Sequence, residues 1–398
     1  MLYVMLNITL IQKHYLLAKV ASTLLAFGFA LIYSRQLGIE NRSIVGYIFV
    51  LTSFIWIVLT SGTTLTLRKM DPDNQHKFLA SFFSLILIEA LLGIVLFGLG
   101  IFLFSILKTP IPSPITLLGM AYFISSGLTI VLIELLIARI KYFWSGYLEL
   151  LAVIFQYILY FTIIKIDVFS IAISLLTSFV FSYLFIAAIG FVLLKPKIKI
   201  YFSLGAPSDF LKMTKGSHAL GISLAAMDRL DKIFIAFYFP VGLLAQFSIM
   251  SSLISVFRFI PDSFSKFLIS GSLDHQRRIV RAPLFWGILL IPFSISAIFI
   301  SQLLIARLLG PEWLLPWAVT FVFIIQELAR GVFQLVSNHK ISVGLVQNSH
   351  IASILLVIVS IFFVFLFSWK LGIVGVPLSF VCSYIFILFY LLRKKNLV

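Results

Sequence analysis

Charge is scarce in this chain. Asp, Glu, Lys and Arg make up 11% of its 398 residues, against about 25% in an ordinary soluble domain. Apolar residues are 61%, and mean hydropathy is +1.14. A soluble fold would leave much of that surface in water, at about 25 cal/mol for every Å² unburied. Soluble, disordered and collagen-like classes are excluded. Cysteine is nearly absent: Cys382 stands alone in an apolar stretch, so no intrachain disulfide and no cysteine metal site can form. Enzyme signatures are also missing. There is no Gly-rich phosphate loop, no His-Glu-x-x-His and no acidic pair suited to a metal–diphosphate. No metal or other cofactor is expected. Without a basic soluble domain, a nucleic-acid partner is not expected either.

The apolar residues come in long unbroken runs, unlike the alternating ten-residue segments of an outer-membrane barrel. In hydrocarbon each backbone N–H and C=O needs a partner within its own segment, so such runs mean helices. At roughly 30–35 residues per span and connection, the length predicts about twelve spans. The first run, 15–34, is too long for the core of a cleaved signal peptide and lacks a small-residue cleavage site, so it reads as a retained span. Later spans are expected near 43–67, 78–105, 114–138, 144–165, 168–194, 217–239, 242–265, 283–305, 313–338, 345–368 and 371–392. The longest connection divides them six and six: a bundle over 1–194, a cytoplasmic linker over 195–216 and a second bundle over 217–398.

Alternate connections differ in basic content. Of the thirty Lys and Arg residues, nineteen fall on the side holding the N-terminus. Six fall opposite: Arg35, Arg42, Lys108, Lys165, Arg307 and Lys370. By the positive-inside rule both termini are cytoplasmic. That bias accounts for most of the net charge of +16, through attraction to anionic lipid headgroups.

The remaining five, Lys19, Arg229, Lys232, Arg258 and Arg330, fall inside spans. Each costs roughly 2.5–3.5 kcal/mol at the bilayer centre, which makes it a functional-site hypothesis. Met227-Asp228-Arg229-Leu230-Asp231-Lys232 concentrates four charges in the seventh span, with Asp228 and Lys232 at pairing distance i,i+4. The eighth carries a polar stripe through Ser248, Ser251, Ser252, Ser255, Arg258 and Asp262. The tenth repeats it with Glu327, Arg330, Gln334 and Ser337. The first half is sparser: Lys19 shares a face with Ser22 and Thr23, Glu89 lies mid-span, and Glu149 lines up with Gln156 and Tyr160. Pairs such as Asp228–Lys232, Arg258–Asp262 and Glu327–Arg330 serve as helix glue in one reading. Stripes running much of a span favour a central polar cavity, hence a transporter.

Asp231-Lys-Ile-Phe-Ile-Ala-Phe-Tyr-Phe-Pro-Val-Gly-Leu-Leu-Ala-Gln resembles the seventh-to-eighth span hairpin of polysaccharide and O-antigen flippases, in the multidrug/oligosaccharidyl-lipid/polysaccharide (MOP) exporter superfamily. Phe247 and Ile249 stand where Tyr and Ala are common there. Ser34-Arg-Gln-Leu-Gly, Leu309-Gly-Pro-Glu-Trp and Lys370-Leu-Gly-Ile-Val-Gly-Val-Pro are similar to that family's other turns. The resemblance implies two six-helix bundles related by a parallel pseudo-two-fold repeat. It also implies a flippase carrying undecaprenyl-diphosphate-linked repeat units of O-antigen, capsule or similar glycan across a bacterial inner membrane. Polymerase and chain-length components would be its partners in glycan assembly. Lys19, Arg229, Arg258 and Arg330 would neutralise the diphosphate, with Ser255 and Gln334 bonding sugar hydroxyls. Glu89, Asp228 or Glu327 would couple the cycle to protons or sodium. The alternatives are an organic-cation exporter of the same superfamily, a membrane glycan polymerase or ligase, and a non-transporting scaffold.

Overall fold

The computed structural model describes residues 10–69, 72–138, 142–166, 169–194, 226–254, 299–342 and 346–393. Among them there is no strand. The chain divides into two compact units, Met1–Gly221 and Ile222–Val398. The linker expected at 195–216 lies outside the described residues.

The first unit holds α1 (Leu10–Lys69), α2 (Pro72–Leu107), α3 (Ser113–Ala138), α4 (Tyr142–Ile166) and α5 (Ile171–Leu194). α1 is a hairpin of two arms that meet at Gly38 (φ 71°, ψ 171°). Aromatic contacts prove the reversal: Phe29 and Phe49 both pack on Phe179 of α5, with ring centroids 6.0 and 4.9 Å away. On a straight helix those two residues would stand about 30 Å apart. The arms pack close to α3, where Trp56 donates its indole N–H to the Phe123 carbonyl at 2.8 Å. Gly127 lies so near that a Cβ there would overlap the Trp56 ring, the small-residue contact that lets membrane helices approach. α2 shows one apolar face outward, including Leu87, Leu91, Val95, Leu99, Phe102 and Ile106. Such a face is stable against lipid, not water.

In the second unit a π-helical turn, Ala226–Leu230, runs into α6 (Asp231–Tyr238). α7 (Val241–Ile254) and α8 (Phe299–Leu308) follow, then α9 (Trp317–Ser342), α10 (Val346–Leu371) and α11 (Gly375–Arg393). Among the described residues, seven helices are long and apolar enough to cross a membrane. Two of these stretches, Leu17–Thr60 and Ile351–Leu391, run 44 and 41 residues, about twice what one crossing needs. Each contains a break and supplies two spans. α6, α7 and α8 are the described parts of the expected seventh, eighth and ninth. This is a multi-pass membrane protein.

The turns explain the Leu-Gly pairs. Among the described residues, the glycines with positive φ are Gly38, Gly310 and Gly372, and each follows a leucine at the end of a helix. Only glycine adopts such angles without strain. Cations gather at helix ends of the same kind. Arg35, Lys165, Arg307 and Lys370 lie in last turns, and Lys108 directly follows α2. There the unpaired carbonyls and the dipole favour positive charge. Five of the six cations that the sequence assigns to the side opposite the N-terminus therefore have a local structural role. The sixth, Arg42, belongs to no outer loop, because Gly38 makes the turn so tight that helix resumes before it. Only 3% exposed, Arg42 reaches back to donate to Ser34 Oγ at 3.0 Å and lies over the Tyr33 ring.

Gly38→Ala should destabilise the protein by about 1–3 kcal/mol, the cost of a side chain in a glycine-only conformation. Gly98→Ala, whose new methyl would meet nothing within 4 Å, should not. Thermal unfolding in detergent micelles reads both; equal midpoints would contradict the turn argument.

Candidate functional site

In the first unit, Lys19 on the first arm of α1 forms an ion pair with Glu149 of α4. The two helices pack along each other, so the pair crosses a helix–helix seam. It is not sealed: the side chains are 31% and 21% exposed. The seam has three zones. Toward the N-terminal end, His14 Nδ1 and Tyr147 Oη lie 3.3 Å apart. The middle is aromatic, with Phe29 against Tyr157 and Tyr160. At the far end Tyr160 donates to the Gln36 side-chain carbonyl. Glu89 belongs elsewhere in this unit. On α2 and 6% exposed, it accepts a 2.6 Å hydrogen bond from Thr63 Oγ1 on the second arm of α1.

In the second unit the charges form one cluster. The Asp228 carboxylate, leaving the π-helical turn, pairs with the Arg330 guanidinium on α9. Glu327, one turn earlier on α9, places Oε2 3.8 Å from Arg330 Nη1. Asp231 accepts from its neighbour's backbone, Lys232 N at 2.7 Å, and from Gln326 Nε2 of α9 at 3.5 Å. Lys232 Nζ donates to the Asp228 backbone carbonyl at 3.5 Å. Asp228, Asp231 and Glu327 thus stand with Lys232 and Arg330. An ion left unpaired in hydrocarbon costs several kcal/mol, and pairing offsets part of that.

Exposure separates the members. Arg330 and Glu327 side chains are 3% and 5% exposed, whereas Asp228 is 26% exposed. Asp228 is therefore the accessible end of the cluster and Arg330 its enclosed centre. Arg229 and Gln334 are half-buried, Gln334 about one turn beyond Arg330 on α9. Ser255 and Arg258 lie outside the described residues, as does Asp262.

Of the residues chosen from sequence, Asp228, Glu327 and Arg330 come together, while Lys19 and Glu89 occupy separate places in the first unit. Asp228 makes a cross-helix ion pair with Arg330, in addition to the backbone contact from Lys232. A buried guanidinium on α9 draws the nearest carboxylate across the gap, and helical spacing cannot reveal that. Glu149 was not among the candidate site residues. Its signal was the α4 face it shares with Gln156 and Tyr160.

Solved structures with the same helix arrangement extend over nearly the whole chain. The lipid II flippase MurJ, in an inward closed conformation, matches 96% of this chain and 87% of its own, with a TM-score of 0.72 and 18% identity. The chain shares the fold of that protein. The Vibrio cholerae MATE transporter VcmN matches 97% of this chain and 98% of its own, with a TM-score of 0.64 and 14% identity. An outward-facing multidrug resistance MATE family transporter of the MOP superfamily matches 96% and 94%, with a TM-score of 0.65 and 13% identity. No family's sequence profile and no curated protein sequence matches the chain. The likeness is therefore three-dimensional, and at these identities it carries the architecture without the cargo.

Arg330→Ala leaves buried carboxylates without their cation and should cost about 3–5 kcal/mol. Gln334→Ala should cost far less. Thermal unfolding of the purified variants measures both, and an unshifted midpoint for Arg330→Ala would remove Arg330 from the centre of the cluster.

Proposed function

We propose that the protein is a flippase that moves undecaprenyl-diphosphate-linked oligosaccharide repeat units across a bacterial inner membrane, with both termini cytoplasmic and no enzymatic activity. The observation that carries this reading is the set of cations held within spans, above all the half-exposed Lys19 on the α1–α4 seam. A diphosphate is prohibitively costly in hydrocarbon, and a transporter for it must offer positive charge at depth. Lys19 and Arg229 are the accessible basic groups, and Arg258 belongs to the same stripe pattern. Arg330 acts first as the anchor of its acids and meets substrate only if Asp228 yields. Ser255 and Gln334 serve sugar hydroxyls. The sequence division at 195–216 supports two bundles, 1–194 and 217–398, rocking about a central polar cavity while the lipid tail stays in the bilayer. Glu89, Asp228 or Glu327 couples that cycle to an ion. Polymerase and chain-length components are the pathway partners.

A second reading, export of organic cations, draws on the likeness to multidrug MATE structures. It calls for accessible acid in place of accessible base, and here the half-buried Asp228 is held by Arg330.

Deleting the gene in its native bacterium separates the two. Complete lipid-linked repeat units should accumulate on the inner leaflet while surface glycan is lost. Complementation with Lys19→Arg should restore export and Lys19→Ala should not. Normal surface glycan together with raised sensitivity to cationic drugs would overturn the proposal in favour of the second reading.

A further inference from the structure

We propose that Glu149 is a resident counter-anion that occupies Lys19 between transport events and is displaced by the substrate's phosphate. The inference rests on the flippase reading and assigns to that site a residue which sets its affinity. Lys19 cannot stand alone in a span, since an uncompensated ammonium there is too costly. Glu149 supplies the compensation across the α1–α4 seam. An arriving phosphate offers the same chemistry, an anionic oxygen acceptor for the ammonium, and competes for one cation.

Accessibility makes the exchange feasible here and not at Arg330. Lys19 and Glu149 are both partly exposed, so an anion can approach without unpacking a helix. Arg330 is enclosed. Competition also prevents a trap. A bare cation at depth would bind a diphosphate tightly and release it slowly. With Glu149 beside it, every binding event first breaks an existing pair, so the observed affinity is reduced by the fraction of the protein in which Lys19 is unoccupied. The freed carboxylate then stands ready to reclaim Lys19 and expel the cargo. Glu149 is thus a positioning residue that tunes release without touching the lipid.

The test is direct binding of undecaprenyl diphosphate to the full chain in nanodiscs, scored on variants that elute and melt like the wild type. Glu149→Gln removes the competing charge with little change in shape. It should bind about fivefold more tightly, the upper range for a partly exposed ion pair. Its turnover in a reconstituted flip assay should fall. Glu149→Asp keeps the competitor and should behave as wild type. Lys19→Ala should bind weakly, and adding Glu149→Gln to it should change nothing further, because the competitor has lost its target. Binding that depends on Lys19 but is no tighter in Glu149→Gln than in wild type would overturn this inference alone. Absence of wild-type binding, with tetraphenylphosphonium bound and lost on Glu149→Gln, would overturn the flippase reading as well.

Discussion

An ion inside hydrocarbon must find an opposite charge or water, and the packing of this protein follows from that demand. Two in-span cations pair across a helix–helix gap within their own units: Lys19 with Glu149 across α1 and α4, Arg330 with Asp228 across α9 and the π-helical turn. These bonds join helices that hydrophobic burial cannot join, because lipid tails are as apolar as leucine. The two sites differ in how far their cations are sealed. Arg330 is enclosed among its acids, which suits an anchor. The Lys19 pair is half open, which suits exchange with a ligand.

Much of the architecture could be read from the chain. Spans follow from apolar run length, and three turns follow from the Leu-Gly pairs, whose glycines take backbone angles barred to other residues. The basic residues just before those glycines show that part of the charge bias is local helix-end chemistry. Arg42 shows where this reading ended. A charge four residues past the turn glycine looks like loop, yet the tightness of the turn puts it in helix, folded back on Ser34 and Tyr33.

The pairing of charges was less legible, for a physical reason. Spacing along one helix fixes which side chains share a face, as for Glu327 and Arg330. It does not fix which face meets which neighbour. Lys19 and Glu149 lie far apart in sequence on different helices; packing alone makes them partners. The same separation explains why the fold is recognisable in three dimensions at 18% identity while no sequence profile matches. Hydropathy and turn glycines preserve a path through the membrane, and many different residues satisfy them. Cargo is written in the few charges, where likeness of fold has no say.

The most direct test of that last claim is transport by the purified protein in liposomes. Undecaprenyl-diphosphate-linked oligosaccharide would be loaded in one leaflet, and exposure of its sugars opposite followed with a membrane-impermeant oxidant. An otherwise identical glycolipid lacking the diphosphate serves as comparison. If in-span cations serve an anionic headgroup, the protein should accelerate movement of the diphosphate lipid well above protein-free liposomes and leave the uncharged one at background. Equal acceleration of both lipids, or of neither, would contradict the account.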